Sequence, residues 1–138
     1  MSGAVAIVTT YLAIATGGAV GGALRYLLGS LVDRRHTGRF PWGTLLVNIS
    51  GALVAGALAA AFAQAGTLNT TASAALLIGV CGSYTTVSSF SLQALTLMQS
   101  GHAGRAALYV LLSVTGCLLA VAAGHGLALS LVTTGVTA

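Results

Sequence analysis

The run Gly79-Val80-Cys81-Gly82-Ser83-Tyr84-Thr85-Thr86-Val87-Ser88-Ser89-Phe90-Ser91 decides how this chain folds. Two glycines followed by a cluster of β-branched and hydroxyl residues make a poor regular helix, because glycine loses much backbone entropy and hydroxyls compete for backbone hydrogen bonds. Apolar residues flank the run on both sides, from Ala74 to Ile78 before it and from Leu92 to Met98 after it. Such a segment reads as a membrane-spanning helix broken at mid-depth. Non-helical backbone is tolerated there only where it is buried in protein or lines an ion site. The alternative is a continuous, kinked helix whose Ser and Thr side chains bond back to the preceding turn.

Outward from this run, the other segments are equally apolar. Four can span a bilayer, at about 4–32, 42–65, 72–98 and 105–131, and each is long enough at about 1.5 Å per residue to cross a core about 30 Å thick. We expect one all-α, four-span transmembrane domain over residues 1–138. The chain is 57% hydrophobic and 4% charged, with five arginines and one acidic residue, Asp33, in 138 residues. A soluble domain solvates its surface with about a quarter charged residues. That excludes a cytosolic enzyme, a secreted disulfide scaffold and a disordered chain. The continuously apolar segments argue against a barrel, whose strands alternate. Cys81 and Cys117 lack CxxC or Cys/His spacing and read as small packing residues. No positive region precedes the first apolar stretch, so no cleavable signal peptide is expected.

Glycine is frequent, at 19 residues, and most of it lies inside the spans. Gly17-Gly18-Ala19-Val20-Gly21-Gly22 holds two overlapping GxxxG pairs, and Gly51, Ala55 and Ala59 form a small-residue stripe on the second span. Small faces let helix backbones approach closely in lipid. A tightly packed bundle follows, one that oligomerises, since four short helices enclose little interior.

Two further polar features lie within the spans. Asn48 stands about a turn and a half into the second span, where its amide must find hydrogen bonds, either as interhelical glue or as part of a pathway. Tyr109 and Ser113 are four residues apart on one face of the fourth span, with Cys117 a turn further on. No Asp, Glu or Lys lies in a span, and Arg25 is near the end of its own. A proton-coupled exporter normally needs an intramembrane carboxylate. A path lined by hydroxyls, an amide and aromatic edges instead suits a small anion, with Asn48, Ser89 and Tyr109 as donors and Phe90 as a ring edge.

Three blocks resemble the CrcB or Fluc family of small fluoride channels: Gly17 through Tyr26, Trp42 through Asn48, and Gly79 through Ser91. Length, four spans and block order agree, so the resemblance covers essentially the whole chain. It implies an antiparallel dimer with two pores that passes fluoride out of the cytoplasm down its electrochemical gradient, in the cell membrane, conferring fluoride resistance. It also implies a structural sodium ion held by backbone carbonyls, with Gly82 and Thr85 at the matching positions. Fluoride would be lined by Asn48, Phe90, Ser89, Tyr109 and Ser113. The family's Thr-Thr-Phe-Ser-Thr-Phe reads Thr85-Thr86-Val87-Ser88-Ser89-Phe90 here, so Val87 replaces the first pore phenylalanine and offers an anion no ring edge.

Four crossings place all five arginines on one side, which the positive-inside rule makes cytoplasmic, with both termini outside. An antiparallel homodimer needs one chain to insert both ways, which this bias opposes. The expectation is therefore either a homodimer that overrides the bias or a pairing with an oppositely oriented paralogue in which the Val87 pore conducts poorly. A small multidrug-type exporter is a remote alternative, since the first span lacks the required carboxylate. Nucleic acid is not an expected partner, and no nucleophile–base pair, metal cluster or phosphate loop points to an enzyme.

Overall fold

The computed structural model describes residues 3–35 and 40–136, with side chains through Leu131. Arg39 of the first connection lies outside the described residues. Five helical elements follow one another: α1 (Gly3–Arg35), α2 (Trp42–Gln64), α3 (residues 71–84), α4 (Val87–Gln99) and α5 (Ala103–Val136). Residues 71–99 form one span in two pieces, so the described residues make four helices long and apolar enough to cross a membrane. The third has the lowest mean hydropathy, 1.4, against 1.7, 2.0 and 2.2 for the first, second and fourth, as its polar centre requires. The fold is all-helical and the third helix is bent.

Where α1, α2, α3 and α5 meet, the contact is backbone on backbone. α2 packs along α5 and α1 along α3. A Cβ on Gly56 would collide with the Val121 carbonyl, and one on Gly124 with the Leu53 carbonyl. Across the other seam, a Cβ on Gly17 would lie 2.5 Å from the Ala75 oxygen, and one on Gly21 would strike the Val80 carbonyl. Of the two overlapping glycine pairs on α1, the Gly17/Gly21 pair makes the crossing, while Gly22 has nothing within 4 Å of a would-be Cβ. On α2 the face against α5 runs through buried Gly56 and Ala60, one residue off the Gly51 stripe. Gly51 instead meets the bend, where a Cβ would lie 2.5 Å from Thr85 Cγ2.

Within α3, residues Ala74–Cys81 form a widened helix, and the Gly82 N–H reaches back five residues to the Leu77 carbonyl. Its centre is pinned by Gly79, whose missing side chain leaves room for the Ile14 carbonyl at 2.7 Å. Such i→i+5 turns concentrate at functional sites. The helix then stops. Thr85 (φ −80°, ψ 160°) and Thr86 (φ −150°, ψ 124°) are extended, and α4 begins at Val87.

α1 contributes little to the interior. None of its most apolar 18-residue window is buried, against 33% for α2. Tyr11, Leu12, Tyr26 and Leu27 all project outward. In a membrane this face meets lipid or another chain.

Candidate functional site

At the bend, the amide of Asn48 does the work a helix would have done. Asn48 Nδ2 donates to the Thr86 carbonyl (3.0 Å), and Asn48 Oδ1 accepts from the Thr86 N–H (2.8 Å). One side chain thus satisfies both backbone groups of an extended residue, and both residues are buried. A second tie joins the hydroxyls of Ser50 and Tyr84 at 2.9 Å. The break is therefore fastened to α2 at Asn48, Ser50 and Gly51, and the interhelical role of Asn48 is realised.

Thr86 also starts α4. Its Oγ1 accepts from the Ser89 N–H (3.2 Å) and lies 3.2 Å from the hydroxyls of Ser88 and Ser89. Hydroxyl N-caps satisfy one of the orphan donors of a helix start. Thr86→Val is expected to lower the melting temperature by a few degrees, since losing such a cap costs about 1 kcal/mol; Thr86→Ser should hold the wild-type value in the same detergent melt.

The two ties have a consequence for the carbonyls just before the bend. In a continuous helix the Thr86 N–H would serve the Gly82 carbonyl and the Ser89 N–H the Thr85 carbonyl. Here those donors go to Asn48 and to the Thr86 hydroxyl. Gly82 and Thr85 both line an open cleft of about 470 Å³, with Asn48, Val87, Phe90, Ser113 and Cys117 among its other walls. Two carbonyl oxygens released from helical bonding suit a hard cation. One chain offers a pair of them, so a complete shell calls for a second chain.

Of the residues singled out for an anion path, the structure brings Asn48, Phe90 and Ser113 together on this cleft. Ser113 Oγ is buried and has no hydrogen-bond partner among the described residues. A buried hydroxyl without a partner costs free energy and favours any acceptor that reaches it. Val87 is 76% exposed on the same cleft, so the departing position faces outward. Cys81 and Cys117 are free thiols on its wall.

Ser89 and Tyr109 are placed elsewhere. Ser89 opens onto a second, more polar cleft of about 440 Å³, with Arg25, Asp33, Thr44 and Thr86. Thr86 borders both clefts, so the extended backbone is the partition between them. Tyr109 is fully buried in the core with Leu45, Leu97 and Ala106. Its ring packs edge-on to Phe40 (5.7 Å, 89°) and tilted against Phe90 (5.4 Å, 40°), and its hydroxyl donates to Gln93 Oε1 at 2.9 Å. Tyr109 thereby backs Phe90 from behind. Sequence reasoning passed over Gln93 and the partition role of Thr86. An amide three residues beyond Phe90, inside an apolar stretch, was the available signal for the first.

A four-span bundle with a bent third helix, uncharged polar groups at the bend and clefts on both sides of it defines a multi-pass membrane protein of the ion-transporting class. A profile described as CrcB-like protein, Camphor Resistance (CrcB), matches residues 12–125. The chain belongs to the CrcB family, a family of transporters rather than enzymes. It is 48% identical over 118 residues to the fluoride-specific ion channel FluC of Rhodospirillum rubrum, covering 84% of this chain and 92% of that protein. It is 44% identical over 123 residues to the fluoride-specific ion channel FluC of Methylocella silvestris, covering 88% and 94%. Against that of Opitutus terrae the identity is 44% over 117 residues, covering 83% and 89%.

Proposed function

We propose that this chain forms a fluoride channel that lets cytoplasmic fluoride leave down its electrochemical gradient across the cell membrane. The observation that carries the reading is the partition at Thr86, flanked by two clefts and fastened by Asn48 without any fixed charge at the bend. The names of the relatives point the same way. A small, strongly hydrated anion enters such a path only where donors replace its water. Asn48, Ser113 and the edge of Phe90 supply them on one side of the partition and Ser89 on the other, with Tyr109 supporting Phe90.

The complete channel is an antiparallel dimer with two pores. The exposed face of α1, the outward Val87 and the half-complete carbonyl pair support this reading. A sodium ion held by Gly82 and Thr85 of both chains would neutralise the converging carbonyl dipoles and hold the bend in shape. Val87 favours a second reading as well: in a pairing with an oppositely oriented paralogue, the pore that uses this position conducts poorly.

Liposomes loaded with fluoride and carrying the purified chain alone decide between these. Fast release at an electrode supports the homodimeric channel, no release from well-folded protein favours the paired form, and Phe90→Ile is expected to slow release at least tenfold. Release unaffected by Phe90→Ile would remove that ring from the path.

A further inference from the structure

We propose that Asp33, the one carboxylate of the chain, is a positioning residue that sets the start and rotation of α2 and through it the grip of Asn48 on the bend. The inference rests on the channel reading for its functional consequence and on geometry for everything else. α2 begins after Pro41, which supplies no side-chain cap. The missing acceptor comes from another helix: Asp33 Oδ1, at the end of α1, accepts the Gly43 N–H at 2.9 Å. A carboxylate at a helix N-terminus also meets the positive end of the helix dipole.

The fit is tight. A Cβ on Gly43 would lie 2.7 Å from both carboxylate oxygens of Asp33 and 2.7 Å from the Gly29 carbonyl, so glycine is what lets the carboxylate reach the amide. Gly29 and Asp33 are four residues apart on one face of α1, and both line the polar cleft that ends at Thr86 and Ser89. Gly43 stands five residues before Asn48 on one rigid helix. A rotation released at Gly43 is carried to an amide whose two bonds to Thr86 tolerate little misalignment. The proposal separates two properties of Asp33, its acceptor oxygen and its charge, and assigns the positioning to the oxygen.

Asp33→Asn keeps an acceptor without the charge, and Asp33→Ala removes both. Two readouts are taken on each: fluoride release from liposomes, and the rate at which a thiol reagent modifies Thr44→Cys in a background with Cys81 and Cys117 changed to alanine. Thr44 is buried in the cleft wall one residue beyond Gly43. Asp33→Ala is expected to raise the modification rate about fivefold and to lower release by a similar factor, in line with a lost cap. Asp33→Asn should stay within about twofold of the parent in both. Gly43→Ala, which displaces the carboxylate, should reproduce Asp33→Ala, and the two combined should add little. Equal effects of Asn and Ala, or no effect of either on Thr44→Cys, overturn the proposal. If the parent chain releases no fluoride, the channel reading fails, while the modification rates still decide the role of Asp33.

Discussion

Asn48→Asp is expected to abolish fluoride release and to cost the fold several kcal/mol. Asparagine meets the Thr86 carbonyl with a donor and the Thr86 N–H with an acceptor. Aspartate keeps the acceptor but sets an oxygen against the carbonyl oxygen, and it brings a charge into the membrane. Charge at the centre of a span costs about 2.5–3.5 kcal/mol on insertion scales, and a bared buried carbonyl adds about 1–3 kcal/mol. Asn48→Ala leaves both Thr86 groups bare at about 1–3 kcal/mol each, so it too should melt early, though without the charge. Thermal melts in detergent beside efflux from liposomes check both. Wild-type melting and release in Asn48→Asp would mean that the bend is not held by this amide.

Gly124→Val is expected to be as severe by a different route. Its side chain would drive into the Leu53 carbonyl, with the Ala57 nitrogen 3.0 Å from the new Cβ, and neither backbone atom can turn aside. Three residues earlier on α5, Gly56 of α2 sits in the same relation to Val121. The two glycines interlock, so bulk at either pushes the whole α2–α5 seam apart. Overpacking costs about 1–3 kcal/mol where side chains can adjust, and more is expected where only backbone is met. Loss of a monodisperse peak on size exclusion is the readout. Gly126→Ala, in open space on an exposed turn of the same helix, should elute and melt as the parent.

Much of this was legible because lipid simplifies the pattern. Four apolar segments and a polar run in the third are visible without a structure, and a glycine-led hydroxyl cluster predicts a bend for local reasons. What Asn48 does with its bonds was not legible, since its partner lies 38 residues away and the amide fits glue and pathway equally well. The glycine stripe on α2 shows the same limit. Gly51 and Gly56 are both small, and the partner helix decides which one faces it. Tyr109 and Ser113 share a helical face by spacing, yet one is in the core and the other on the cleft. That divergence comes from Phe40, Phe90 and Gln93, each on a different segment.

The widened helix at Ala74–Cys81 makes this protein unequally tolerant of insertions and deletions. A turn closed over five residues instead of four holds about one residue more than an α-turn. Deleting a single residue there would let the segment relax to ordinary α-helix, turning all that follows by about 100° relative to α1 and α2. Thr86 would then face away from Asn48. The same deletion in the turn at Thr67–Asn69 would be absorbed locally, as surface connections generally allow. The length of eight residues inside the membrane is thus a coded quantity, fixed as firmly as the identity of any side chain at the bend.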